Sequence, residues 1–269
     1  MVKIYLNEIP FNLEPGFSLK KLQEKRMPHA DLVILNGFPM TEDYALRDGD
    51  HVVMIKRGQV PDSGELEALM MARHTPGIHE KIKAGRVGIA GVGGLGSNVA
   101  VALARIGVGQ LHMADFDMVE PSNLNRQHYF IDQIGMPKVK ALEETLKRIN
   151  PMVNVTCFAE KVTQNNLKRI FGGVDILVEA FDSAIEKTLL TNNFLQLFPE
   201  KVIVAASGVA GYEKSNSIRT RKITEHLYLC GDGVTAAAPG CGLMAPRVGI
   251  AAHHQANAVL RLLLNESVE

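Results

Sequence analysis

Cysteine is scarce in this sequence: Cys157, Cys230 and Cys241 are the only three in 269 residues, too few and too irregularly spaced for a disulfide framework. They read as reduced, buried small hydrophobes. Neither sign of charge is in excess. Lysine plus arginine and aspartate plus glutamate stand at 29 each, so no global field draws the chain to nucleic acid or to a membrane surface. Recognition has to be local. Apolar runs of membrane-spanning length are missing, as is a cationic start followed by an apolar stretch. Neither a span nor a signal peptide is expected, and the expected address is cytoplasmic. Internal repeats and low-complexity tracts are also absent. What remains is the composition of an ordinary globular protein, long enough for one large α/β domain with a small module attached.

The chain opens with MVKIYLNEIPFNLEPGFSLKKLQEKRM, where apolar and polar residues alternate around Val2, Ile4 and Leu6 at the period of a half-buried strand. Phe11 to Leu13 offers a second short strand, completing a hairpin, and Pro15-Gly16 ends it. Ser18 stands where an N-cap belongs, with Leu19 and Leu22 at helical spacing before a turn at Met27-Pro28. LVILNGFPM follows, a strand run closed by the tight-turn dipeptide Asn36-Gly37. DGDHVVMIKRG then supplies a turn and a last apolar strand. This order describes a small β-grasp, or ubiquitin-like, module. Through LN, PGFSLKKL, VILNG and LRDGDHVVMIKRG it resembles the sulfur carrier ThiS. A working carrier ends in a free Gly-Gly, whereas this chain runs on from Arg57-Gly58 into Gln59-Val60-Pro61. The resemblance therefore implies a carrier fold without the reactive carboxylate, used for structure or docking. QVPDSGE after it is a linker by composition, and GELEALMMARH reads as a helix.

From Arg86 the rhythm changes to strands alternating with helices. RVGIAGV, QLHMADFD, NVTCFAE, VDILVEAF and KVIVAASGVAG are strand candidates; SNVAVALARIG, an amphipathic KVKALEETLKRIN and further helical runs lie between them, with Asn150-Pro151 closing the second. The expected fold class is α/β: a Rossmann-like, mostly parallel sheet with helices on both faces, preceded by the β-grasp domain. A ligand then belongs at the carboxyl ends of the strands, near a switch point.

Gly91, Gly93 and Gly96 fit GxGxxG between a strand and a helix. Glycine lets the backbone turn tightly and approach a phosphate, while the helix N-terminus offers free amides and positive dipole. Asp115 closes the second strand about twenty residues on, where a carboxylate can accept hydrogen bonds from ribose hydroxyls. These features indicate a bound nucleotide. They leave open whether it is a dinucleotide in an oxidoreductase or ATP.

DFDMVEPSNLNRQHYFIDQIGMPKVKAL separates the two. A dehydrogenase has no reason to gather Asn123, Arg126, Gln127 and Lys138 behind its adenosine site. An adenylating enzyme has one: when a carboxylate attacks the α-phosphate of ATP, charge builds on the phosphoryl oxygens and on pyrophosphate, and catalysis is mostly positioning plus cationic stabilisation. Arg126 offers a planar fork for phosphate and Lys138 a compact charge. Asn123 can orient an oxygen without adding charge.

GVGGLGS, DFDMVEPSNLNRQ, GMPK and the INP after the helix resemble the ThiF/MoeB/HesA family, relatives of ubiquitin-activating enzymes. The likeness, weaker beyond these motifs, runs from about Arg73 to the end and divides the chain into a ThiS-like domain over 1–58, a linker and helix start over 59–72, and an adenylation domain over 73–269. It implies ATP bound by Gly91, Gly93, Gly94, Gly96, Asp115, Asp117, Ser122, Asn123, Arg126 and Lys138. Asp115 would hold the ribose, Ser122 and Asn123 would lie near the phosphates, and Arg126 and Lys138 would stabilise charge. Asp182, after a strand in VEAFDSAIEK, resembles the family's metal-binding aspartate, and magnesium suits an anionic oxygen ligand. Its alternative use is as a cap for the helix beginning near Ser183. Arg73 corresponds, at a shorter spacing than usual, to an arginine that members place near the phosphates, often across a homodimer interface.

Towards the C-terminus, KSNSIRTRKI resembles the extended region on which the family supports its carrier. GLMAPRVGIAAHHQANAVLRLLL matches the closing helix, with Pro246 in its first turn. His253 and His254 are adjacent and point to different faces, so they make no paired ligand site. The two Cys-x-x-Cys pairs with which many members bind zinc have no counterpart, and no zinc is expected. Cys241, in APGCGLMAP, is the nearest candidate for the cysteine that some members bond to the carrier, although it stands several residues out of register. The implied activity is adenylation of the C-terminal glycine of a separate ThiS-like carrier, by a homodimer, for the thiazole of thiamine. A molybdopterin-type carrier, a modified transfer RNA, an NAD-dependent oxidoreductase and a non-catalytic scaffold are the alternatives.

Overall fold

The structure is a computed structural model that describes residues 1–59, 61 and 63–268. It falls into two compact units, Met1–Glu80 and Lys81–Glu269. The smaller contains β1 (Val2–Leu6), β2 (Ile9–Leu13), α1 (Leu19–Arg26), β3 (Leu32–Leu35), β4 (Phe38–Met40), β5 (His51–Ile55) and α2 (Ser63–Met71). Its sheet runs β2-β1-β5-β3-β4, with β1 parallel to β5 and the other pairs antiparallel. This is the expected β-grasp. Both hairpins turn on two residues of positive φ, Asn7-Glu8 at 48° and 64° and Asn36-Gly37 at 49° and 82°, matching the twist of the strands they join. Ser18 caps α1 by accepting a hydrogen bond from the Lys21 amide.

Alternation along the strands gives this sheet two apolar faces. Ile4, Val33, Leu35, Val52 and Met54 pack with Leu19 and Leu22 of α1, whereas Ile34 and Val53 pack with Leu69 and Ala72 in and just after α2. The helix expected from GELEALMMARH thus completes the core of the module. The QVPDSGE linker lies partly outside the described residues.

α3 (His79–Ala84) spans the division between the units. The larger unit then alternates β6 (Arg86–Ala90), α4 (Gly94–Arg105), β7 (Gln110–Ala114), α5 (Lys138–Ile149), β8 (Asn154–Phe158), α6 (Leu167–Phe171), β9 (Ile176–Glu179), α7 (Ala184–Leu197) and β10 (Val202–Ala206). The edge hairpin β11 (Arg219–Thr224) and β12 (Leu227–Gly231) and the closing helix α8 (Ala245–Leu263) follow. The seven-stranded sheet has the order β11-β12-β10-β9-β6-β7-β8. Every pairing is parallel except β11 with β12. Phe171, Phe194 and Ile203 lie in the core between the sheet and α6 and α7. Packing of α4 against α5 and α8 covers the other face. Winding goes outward from β6 through β7 to β8, then returns to β9 on the other side of β6. The carboxyl ends of β6 and β9 therefore part at a switch point, where a doubly wound sheet opens a crevice. Among the described residues, no helix is long and apolar enough to cross a membrane.

Candidate active site

The glycine loop leaves β6 at that switch point. Gly91 has φ 86°, and a Cβ there would stand 2.9 Å from the Ala180 carbonyl oxygen in the segment leaving β9. A Cβ on Gly96 would stand 1.9 Å from the Gly91 carbonyl oxygen, so the first turn of α4 comes this close to the strand exit only without a side chain. Gly93 is the residue before α4, whose first amides face the crevice without intrahelical partners. Polar side chains brace the loop from behind. Ser97 donates from its hydroxyl to the Gly93 carbonyl at 2.6 Å, and Asn98 donates to the Gly94 carbonyl at 2.7 Å and to the Arg126 carbonyl at 3.2 Å. The buried Tyr129 hydroxyl donates to the Val92 carbonyl at 2.7 Å, and burial raises its pKa, keeping the donor proton in place.

Asp115 follows β7 directly. One carboxylate oxygen accepts from the Val92 amide at 2.8 Å and the other from the Asp117 amide at 2.9 Å. Each oxygen retains a lone pair for a hydroxyl. Burial pushes its carboxyl up, and the two backbone amides and nearby Lys138 oppose that shift.

Between Asp115 and α5 the chain makes an excursion and closes on itself. Val119 donates to the Met136 carbonyl, Gly135 to the Val119 carbonyl and Lys138 to the Asp117 carbonyl. That closure brings Lys138, distant in sequence, beside Asp115 and Asp117. The Lys138 ammonium donates to the Asp117 carboxylate at 2.7 Å, with the lysine side chain 7% exposed and its partner 48% exposed. Lys138 is the first residue of α5, where the helix dipole disfavours a cation. Helix stability alone would not choose a lysine there.

Asn123 ends a 3-10 turn over Pro121–Asn123. Its side-chain oxygen accepts from the Glu120 amide at 3.0 Å, leaving the amide nitrogen as the group that can turn to a ligand. Ser122 is exposed, and its carbonyl accepts from the Arg126 guanidinium at 3.0 Å. The Arg126 stem lies over the loop, with Cγ 3.6 Å from where a Cβ on Gly94 would stand. Two polar atoms here are buried without a protein partner: Arg126 Nε and the Gln127 side-chain oxygen. Such atoms cost about 1–3 kcal/mol each unless a ligand or water pairs with them, and both sit against the glycine loop.

Asp182 lies just beyond β9 and is exposed. The cap of α7 is Ser183, whose hydroxyl accepts from the Glu186 amide at 3.4 Å, so Asp182 is not spent on capping. The described residues contain no group of three or more histidine, cysteine, aspartate or glutamate side chains that could hold a metal. A lone carboxylate at a phosphate site nevertheless suits magnesium, which binds through one or two carboxylates plus phosphate oxygens and water.

The larger unit thus brings Gly91, Gly93, Gly94, Gly96, Asp115, Asp117, Ser122, Asn123, Arg126, Lys138 and Asp182 to the carboxyl ends of its central strands. Arg73 belongs to the smaller unit and is exposed after α2. Cys241 is half-buried in a small turn in which it exchanges backbone hydrogen bonds with Ala238. Ser97, Asn98 and Tyr129 were not legible as loop supports, although two of them stand in the first two turns of the helix after the glycines. Nor was Glu179, whose signal is a charge in the otherwise apolar run of β9.

Residues 67–269 match the ThiF family and residues 2–58 match ThiS-like ubiquitin. Molybdopterin-synthase adenylyltransferase of Salmonella typhimurium is 30% identical over 190 residues, covering 68% of this chain and 75% of that protein. Adenylyltransferase and sulfurtransferase UBA4 of Saccharomyces cerevisiae is 30% identical over 205 residues, covering 72% of this chain but 46% of its own length. In three dimensions the chain resembles the E. coli tRNA N6-threonylcarbamoyladenosine dehydratase TcdA in complex with AMP. The TM-score is 0.68 at 19% identity, over 77% of this chain and 98% of that one.

Proposed function

The chain belongs to the ThiF family and is an enzyme of the adenylyltransferase class, and on that premise we propose that it adenylates the C-terminal carboxylate of a ubiquitin-like sulfur-carrier protein with ATP. The observation that carries this reading is the placement of Arg126 against Gly94 of the glycine loop and of Lys138 beside Asp117 and Asp115. The loop and the first amides of α4 receive phosphate, and Asp115 accepts from the ribose hydroxyls. A carrier carboxylate oxygen attacks the α-phosphorus, the bond to the bridging oxygen breaks, and pyrophosphate leaves with the electron pair. The products are acyl adenylate and pyrophosphate.

Lys138 and Arg126 stabilise the charge that grows on the phosphoryl oxygens and the leaving group. In the presence of ATP the Lys138 ammonium exchanges the half-exposed Asp117 for phosphate. Asn123 orients a phosphate oxygen through its side-chain amide, with Ser122 beside it. Asp182 would hold magnesium, which neutralises phosphate charge when bound. In a homodimer, Arg73 is the further cation assigned to the phosphates.

The ThiS-like smaller unit favours a separate ThiS-like carrier and thus thiazole formation for thiamine. Resemblance to the molybdopterin-synthase adenylyltransferase favours a molybdopterin-type carrier instead. A transfer RNA substrate finds no support in the balanced charge. The test is to mix the protein with each carrier and ATP, follow exchange of labelled pyrophosphate into ATP, and weigh the carrier by mass spectrometry. Carrier-dependent exchange and a mass increase of one adenylate are expected, with Arg126→Ala abolishing both. An oxidoreductase or a scaffold would show no exchange with any carrier.

A further inference from the structure

We propose that Glu179 and Lys187 form a buried positioning pair that holds the Asp182 turn, and the adjoining end of β10, in register with the nucleotide site. The inference rests on the reading of that site as an adenylating centre.

Glu179 is the last residue of β9, and its side chain is 1% exposed. A carboxylate this deep is expensive to bury, and its bonds show what it does there. Lys187 of α7 donates to both carboxylate oxygens at 3.1 Å and to the Ala206 carbonyl at 3.0 Å. The Phe181 amide donates to the same carboxylate at 2.7 Å, and the Ala206 amide reaches it at 3.5 Å. One carboxylate therefore joins the exit of β9, the exit of β10 and the first turns of α7. Behind it, Gln255 of α8 donates to the Glu179 and Val204 carbonyls at 2.9 and 3.1 Å.

Phe181 immediately precedes Asp182, and the Ala180 carbonyl is the group against which Gly91 closes. The direction in which Asp182 leaves the sheet is thus set by a hydrogen bond to Glu179 on one side and by the glycine loop on the other. Buried ion pairs seldom stabilise a fold more than apolar residues of the same volume. Stability is therefore a poor reason for a charge here, whereas a carboxylate that accepts from two strand exits at once does what a methyl group cannot. Burial pushes the Glu179 carboxyl up and Lys187 opposes that shift; the ammonium also closes the triangle through Ala206, where the chain departs into 207–218.

The test uses the full chain with Glu179→Gln and Lys187→Met combined, so that no unpaired charge is left buried. Thermal unfolding close to the parent is expected. Calorimetric titration with ATP should give parent-like affinity without added metal, while the magnesium concentration needed for tight binding rises about tenfold, the scale seen when groups behind a metal ligand are removed. Lys187→Arg alone, which keeps the ion pair with Glu179, should leave the magnesium requirement near that of the parent. In an Asp182→Asn background the combined change should have no further effect on the magnesium requirement, because the pair acts through Asp182. A parent-like magnesium requirement, or an equal loss in that background, would overturn the proposal. Failure of the double variant to fold would also overturn it, by assigning the pair to stability. The binding readout needs no carrier, so absence of carrier-dependent exchange in the parent would count against the proposed activity and not against the pair.

Discussion

Replacing Lys138 with methionine separates the charge of this side chain from its packing. The stem is buried and methionine nearly preserves its volume, so no cavity large enough to matter should open. The abandoned partner, Asp117, is 48% exposed and can turn its carboxylate to water. Losing the ion pair should then cost no more than about 1 kcal/mol. Part of that is offset because a cation at the N-terminus of α5 works against the helix dipole by about 0.3–1 kcal/mol. Stability should thus be nearly unchanged. Catalysis should not be. A preorganised cation at a developing phosphoryl charge is worth about 3–4 kcal/mol, a loss of about 10²–10³-fold in rate. Pyrophosphate–ATP exchange at saturating ATP and carrier, with urea unfolding on the same preparation, measures both. Less than about a tenfold loss of exchange in a folded variant would refute the assignment of Lys138 to charge stabilisation. A loss of several kcal/mol in unfolding free energy would instead make the lysine structural.

Tyr129→Phe removes the bond to the Val92 carbonyl and should cost about 1–2 kcal/mol in urea unfolding, with a higher KM for ATP as the glycine loop loosens; unchanged values in both would refute the bracing role. Gly96→Ala sets a methyl against the Gly91 carbonyl and should destabilise by about 1–3 kcal/mol while abolishing ATP binding in calorimetry. Burial pushes the thiols of Cys157 and Cys230 up to about 12 and about 11, so at pH 8 only about 10⁻⁴ and 10⁻³ of each is thiolate. Iodoacetamide on the native protein should therefore modify Cys241 first, as read by peptide mass spectrometry. Burial also holds the Asp115 carboxyl above its ordinary value. Its contribution to stability is present below the unfolded pKa and is lost as pH rises through the folded one, so Asp115→Asn should gain stability relative to the parent as urea unfolding is carried from pH 4 to pH 7.

Much of the architecture was legible because it depends on local rules. Alternation in VKIYL, the cap at Ser18 and the turn at Asn36-Gly37 are each decided within a few residues by backbone sterics and nearby hydrogen bonds. The same holds for the glycine loop, since a left-handed residue at Gly91 and a bare Cα at Gly96 are demands that only glycine meets. The strand β12 escaped notice. LYLCG is short, and besides its hairpin with β11 it pairs with β10, a contact formed only as the sheet assembles.

From sequence alone came the two-part plan of the chain, the nucleotide loop and the residue types fit for adenylation, because spacing and chemistry are written in order along the chain. Only the tertiary structure decided which of those residues meet. Closure of the excursion from Asp117 to Pro137 sets Lys138 beside Asp115. Burial leaves Arg126 Nε and the Gln127 oxygen unpaired at the loop. The return of β9 to the flank of β6 puts Asp182 across the crevice, held through Glu179. These are long-range contacts, selected by the packing of a whole sheet and its helices, and no short window of sequence contains their geometry.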